Sequence, residues 1–143
     1  MLLAYRLPRE PSTPRIALWR RLRRLGAAQV LDGLAALPLN AQTREQLEWL
    51  ADEVEDAGGS ATIWVGQTGT TAEGRELVER MRENTEADYQ RITEAAEAAV
   101  DGRTIARLRR ALRAVRARDY FDAPGRREAE EALAKLAVEK VAT

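Results

Sequence analysis

Pro8, Pro11 and Pro14, spaced every third residue, separate an apolar opening run from an arginine-rich segment. Each fixes its own φ and pushes the residue before it toward extended backbone, so no helix can form until Ser12 or Thr13 offers a cap. Pro14 then suits a first helical turn, where a missing N–H costs nothing. On the N-terminal side, Met1 to Leu7 alternates Leu3, Tyr5 and Leu7 against Leu2, Ala4 and Arg6, which predicts a first strand in the interior of a sheet. On the C-terminal side, Leu18, Leu22 and Leu25 line one helical face beside Trp19. Arg20, Arg21, Arg23 and Arg24 take most of the other, until Gly26 supplies a left-handed stop.

The next segments follow the same logic. Ala27 to Leu31 and Leu34 to Leu39 are short apolar runs joined by Asp32-Gly33, a favoured hairpin pair, and Pro38 places the second run at an edge or ends its pairing. Asn40 or Thr43 can cap a helix from about Ala41 to Ala57, with Leu47, Leu50 and Val54 inward and acidic residues outward. Gly58-Gly59 stops it, and Ala61 to Val65 reads as a strand. The order β-α-β-β-α-β within about 65 residues is that of an α+β, ferredoxin-like antiparallel sheet, expected over residues 1–66. Two helices would cover one face, leaving the other to a partner or to the C-terminal helices.

After Gln67 to Thr71 the pattern turns helical, and a three-helix extension is expected over 72–143. Val78, Met81, Thr85, Tyr89, Ile92, Ala96 and Ala99 mark one long helix. Thr104 can cap the next, with Ile105, Leu108, Leu112 and Val115 inward and six Arg between Arg107 and Arg118. Asp119-Tyr120-Phe121-Asp122-Ala123-Pro124-Gly125 breaks the chain before a last helix with Leu133, Leu136 and Val141 as its apolar positions. Tyr120-Phe121 is expected to dock that helix, and Asp119 and Asp122 to act as caps.

Composition narrows the function. The 143 residues contain no Cys and no His, which removes disulfides, thiol chemistry, imidazole bases and nearly every zinc site. Carboxylates, Lys, Tyr, Ser or a carboxylate-held Mg²⁺ are the remaining catalytic options, and neither a metal site nor a cofactor is expected. No apolar run spans a membrane and no signal-peptide pattern is present, so a soluble cytoplasmic protein is expected.

Charge is segregated although the net is zero. Residues 1–40 carry seven Arg against Glu10 and Asp32, net +5. Residues 41–102 carry five Arg against fifteen acids, net −10, and residues 103–143 eleven bases against six acids, net +5. Such a pattern reads either as internal complementarity or as a basic surface for a polyanion. On the second reading the DNA-contacting candidates are Arg20, Arg21, Arg23 and Arg24 with Arg107, Arg110, Arg113 and Arg116. On the first, those arginines pair with the acidic faces of the second and third helices. No helix-turn-helix signature accompanies them. Trp19, Trp49, Trp64, Tyr89, Tyr120 and Phe121 read as core or interface residues rather than base-stacking platforms.

Two passages carry a family resemblance. One runs from Leu2-Leu3-Ala4-Tyr5-Arg6-Leu7-Pro8 through Arg15, Trp19, Leu22, Leu25-Gly26-Ala27 and Asp32-Gly33 to Leu37-Pro38. The other is Ala117-Arg118-Asp119-Tyr120-Phe121-Asp122-Ala123-Pro124-Gly125. In this order they resemble the N-terminal domain of the chromate resistance regulators called ChrB. The resemblance implies association with a chromate efflux transporter and a chromate-responsive, DNA-binding regulator. The resemblance also implies that full-length members carry a further C-terminal domain, and this sequence is expected to correspond to the N-terminal part alone.

The first passage is also similar to the small CRISPR adaptation subunits and the middle domain of PaaX-type repressors, which implies a homodimer formed through the sheets. In nuclease-like members of that group the first strand ends in Tyr-Asp, the Asp holding metal. Here Tyr5-Arg6 stands in its place, and a cation there would repel Mg²⁺. The alternatives are a divergent nuclease using Asp32 and the acidic helices, or a module that only dimerises and holds a partner. For chromate, a tetrahedral dianion, two or three guanidinium or backbone N–H donors are called for, ideally at a helix N-terminus, and Arg6, Arg9 and Arg15 are the candidates. Against this stands Arg6 as a salt-bridged strand residue and Arg9 as a solvated loop residue.

Overall fold

The structure, a computed structural model, describes residues 1–142, and side chains as far as Glu139. It is a mixed α+β chain with one four-stranded antiparallel sheet and five helices. Contacts divide it into two compact units, Met1–Leu77 and the residues from Val78 onward.

The first unit contains strand β1 (Leu2–Arg6), helix α1 (Thr13–Leu25), strands β2 (Ala28–Leu31) and β3 (Leu34–Ala36), helix α2 (Ala41–Asp56) and strand β4 (Ser60–Trp64). The sheet order is β2-β3-β1-β4, with β1 in the interior, as its near-continuous apolar sequence requires. Leu3 pairs with Ala35 on one side and Ile63 on the other, and Arg6 at the strand end faces Ser60 in register. Pro38 does not put β3 at an edge. Pairing simply stops at Ala36, and the edges are β2 and β4. The β2–β3 register shifts between Gln29 and Leu31, a bulge centred on Val30.

Local signals set the element ends. Gly26, at φ 76°, closes α1 with its N–H on the Arg23 carbonyl at 3.0 Å. Asn40 and Thr43 form a reciprocal capping box on α2: the Asn40 side chain accepts from Thr43 N at 2.9 Å and Thr43 Oγ1 accepts from Asn40 N at 3.0 Å. α2 packs on β1 and β4 and touches α1. Leu3, Leu18, Leu22, Leu47, Leu50 and Val54 are buried, so the apolar stripes read from the sequence form this unit's core.

Helix α3 (Thr71–Glu97) runs past the boundary between the units, and α4 (Gly102–Ala117) and α5 (Arg126–Ala142) follow. The core of the second unit joins Tyr89, Ile92 and Ala96 of α3 to Leu108, Leu112 and Val115 of α4 and Ala129 and Leu133 of α5. Leu136 packs against it, and the Val141 side chain lies outside the described residues. The N-cap of α4 is Asp101 rather than Thr104: its extended backbone lets the carboxylate accept from Thr104 N at 2.6 Å. That bond holds the Asp101 carboxyl below its ordinary pKa.

Candidate functional site

The end of β1, the start of α1 and the Asp32-Gly33 turn converge on a groove of about 700 Å³, lined by Tyr5, Arg6, Ser12, Arg15, Ile16 and Trp19, with Gln29, Asp32 and Gly33 opposite and Leu7 and Leu18 beneath. The turn is brought in by Gly33, whose φ is +78°: a Cβ there would lie 2.6 Å from the Tyr5 carbonyl oxygen. That close approach lets the Tyr5 N–H donate to the Gly33 carbonyl at 2.8 Å. At the floor, Gln29 Nε2 donates to the Tyr5 hydroxyl at 2.9 Å and to the Leu31 carbonyl at 2.7 Å. A phenol that accepts from an amide keeps its own O–H to give, so Tyr5 offers the groove a donor.

Arg6 and Arg15, two of the three arginines expected to hold an oxyanion, line this groove together, whereas Arg9 is not among its lining residues. None of the three side chains forms an ion pair or hydrogen bond among the described residues. Arg6 is therefore not a salt-bridged strand residue. Ser12 precedes α1 without a side-chain cap bond, leaving first-turn N–H groups open beside Arg15. Trp19 is 51% exposed and Ile16 46% exposed, so the apolar wall of the groove faces outward. The Arg23 guanidinium lies 5.0 Å from the Trp19 ring centroid, a cation–π pair that backs the indole.

The DNA candidates divide by unit and by partner. On α1, Arg21 is paired with Glu53 of α2 and Arg23 is held over Trp19, while Arg20 and Arg24 have no ion pair among the described residues. Arg21 and Arg24 also border a smaller groove, about 370 Å³, with Trp49 and Glu45. On α4, Arg116 lies 3.5 Å from Glu130 of α5. Arg107, Arg110 and Arg113 are exposed and have no ion pair among the described residues, and the same holds for Arg103 and Arg109, which the sequence reading left out of the site. Internal complementarity thus accounts for Arg21 and Arg116 through ion pairs and touches Arg107 through the nearby Asp101 carboxylate, while Arg20, Arg24, Arg110 and Arg113 hold no ion pair among the described residues. Arg103, Arg107, Arg110 and Arg113 run at i, i+4, i+7 and i+10 along one side of α4, a stripe roughly 15 Å long at 1.5 Å per residue.

The aromatic turn before α5 is structural. The hydroxyl of Tyr89, which is wholly buried, donates to Asp119 at 2.8 Å, and Asp119 also accepts from Ala123 N at 3.0 Å. Arg118 pairs with Asp88 at 3.0 Å, Glu86 accepts from Gly125 N at 2.6 Å, and Arg82 donates to the Phe121 carbonyl at 3.1 Å. Asp119 is accordingly an anchor of the turn rather than a helix cap, and Asp122 sits exposed at φ 52°. Burial first, then the Asp119 bond and charge, raises the Tyr89 pKa. Tyr120 and Phe121 are half-buried in the same turn, and burial raises the Tyr120 phenol as well.

Asp32 is exposed at the groove rim, and no group of three or more Asp, Glu, Cys or His capable of holding a metal ion occurs among the described residues. No described helix is long and apolar enough to cross a membrane.

Comparison with known proteins bears on residues 15–98, which match the family model described as Protein ChrB, N-terminal. The match spans more than half of the chain, from the first turn of α1 to the end of α3. No curated protein and no solved structure matches it.

Proposed function

The chain belongs to the ChrB N-terminal family, and on that premise we propose that it is a non-enzymatic, DNA-binding regulator in chromate resistance. The observation that carries this reading is the stripe of exposed arginines on α4, Arg107, Arg110 and Arg113 with Arg103 beside them, none of which forms an ion pair among the described residues. Arginines that a fold needs are held by carboxylates, as Arg118 is by Asp88. Guanidiniums left in water at regular spacing suit a phosphate backbone, where each neutralised phosphate releases counterions. Arg20 and Arg24 on α1 supply a second, smaller set.

In the same reading an oxyanion effector, chromate first, binds between Arg6 and Arg15. The sheet unit is ferredoxin-like: the order β4-β1-β3-β2 joined as βαββαβ supports this. The chain acts as a homodimer. Exposed Trp64 and Val65 at the edge strand β4, and Leu31 at the opposite edge, are the apolar surface that supports the association. Arg6, the cation at the end of β1 where the nuclease-like proteins similar to this stretch place a metal-binding Asp, supports the non-enzymatic reading.

The test is a fluorescence anisotropy titration on DNA upstream of the protein's own operon, with and without chromate. Binding at low salt that weakens steeply as salt rises is expected. No binding at low salt in either arm overturns the regulator reading.

A further inference from the structure

The groove beside α1 is larger and more apolar than an inorganic oxyanion by itself requires. A five-heavy-atom anion fills roughly 150 Å³ at a water-like share of volume per heavy atom, against about 700 Å³ in the groove. That volume falls within the range of sites that hold small organic molecules, about 300 to 1,000 Å³. The lining is divided in the same sense. Arg6 and Arg15 provide two cations whose side chains have no partner among the described residues, Tyr5 a hydroxyl donor held in place by Gln29, and Ile16 and Trp19 an outward apolar wall that would be costly to leave to water. The Arg23 guanidinium covers one face of the Trp19 ring at 5.0 Å.

We propose that this groove binds an organic anion with a flat apolar body, its charged head between Arg6 and Arg15 and its body against Trp19 and Ile16. The inference rests on the anion site of the reading above and is independent of the DNA contact. Planar guanidiniums grip carboxylate, sulfonate or phosphate heads through paired N–H donors. Asp32 at the rim disfavours a second negative charge on the body, so a monoanionic or singly headed ligand is selected.

The experiment uses the whole chain and three probes, naphthalene-2-sulfonate, chromate and neutral 2-naphthol, followed by calorimetry. Naphthalene-2-sulfonate is expected to bind at least tenfold more tightly than either of the others. Arg6→Ala with Arg15→Ala should weaken it tenfold or more, Trp19→Ala similarly, while Arg9→Ala and Arg44→Ala leave it unchanged. Circular dichroism of each variant keeps loss of binding separate from loss of fold, and Arg15→Lys, which keeps the charge, should restore part of the affinity. Chromate binding as tightly as the aromatic sulfonate overturns this inference while sparing the oxyanion reading. Naphthol binding as tightly as the sulfonate, or affinity unmoved by the arginine substitutions, overturns both as readings of this groove. No binding by any probe does the same.

Discussion

The arginines of the aromatic turn and those of the α1 groove and α4 stripe are the same residue type put to opposite uses. Around the turn, Arg82, Arg118 and Arg126 meet Phe121, Asp88 and Glu130, and the carboxylates of Asp119 and Glu86 take the remaining donors. In the groove and along α4, Arg6, Arg15, Arg110 and Arg113 hold no ion pair among the described residues, and Arg107 has only the through-space attraction of the exposed Asp101 carboxylate. Charge density alone does not separate the two sets. Partnership does, and it predicts which substitutions cost stability and which cost binding.

The largest effect is expected at the centre of the clamped turn. Tyr89→Ala removes a wholly buried ring and the Asp119 bond, and should destabilise the second unit by about 3–5 kcal/mol in urea unfolding. A loss under 1 kcal/mol would break the contrast from this side. Gly33→Ala comes next: a left-handed position and a Cβ 2.6 Å from the Tyr5 oxygen should cost roughly 1–3 kcal/mol and displace the turn that brings Asp32 to the groove.

A smaller effect is expected from Tyr89→Phe, about 1–2 kcal/mol for a buried bond removed with its acceptor left behind. The same variant carries a pH signature. The folded phenol is raised above the ordinary 10.0, so its stabilisation is fully present below pH 10 and falls as pH rises past that value, where the unfolded phenol ionises and the folded one does not. Stability against alkaline pH should decline more steeply in the wild type than in Tyr89→Phe, and parallel curves would contradict the assignment. The smallest effect is expected at Arg15→Ala, within about 0.5 kcal/mol, since its side chain is exposed and has no partner among the described residues. A cost above 1 kcal/mol would make Arg15 structural and weaken the groove as a site.

Local chemistry made much of the fold legible. The proline spacing and Gly26 framed α1, Asp32-Gly33 marked the hairpin, Asn40 with Thr43 marked α2, and periodicity picked out every buried position of α4. The misplaced cap shows the limit of such reading, since Asp101 and Thr104 both suit the position and only the extended backbone at Asp101 decides between them. Pairings across 30 residues were out of reach for the same reason: nothing local in Asp119 specifies Tyr89, nor in Arg21 Glu53. Of the groove, Arg6 and Arg15 were legible from their place around a helix start. Tyr5 and Asp32 were not, although Gln29, a lone polar residue in an apolar strand, was the available signal that a hydroxyl lay opposite it.

The central claim, that the exposed arginines of α4 are kept for a polyanion, is tested most directly by the salt dependence of DNA binding on α4. Anisotropy titrations of the wild type and of the Arg107→Ala, Arg110→Ala, Arg113→Ala variant across a range of salt concentrations give two slopes of log affinity against log salt. Three lost phosphate contacts at about 0.9 each should lower the slope by about 2 to 3. Equal slopes and equal affinities would contradict the account.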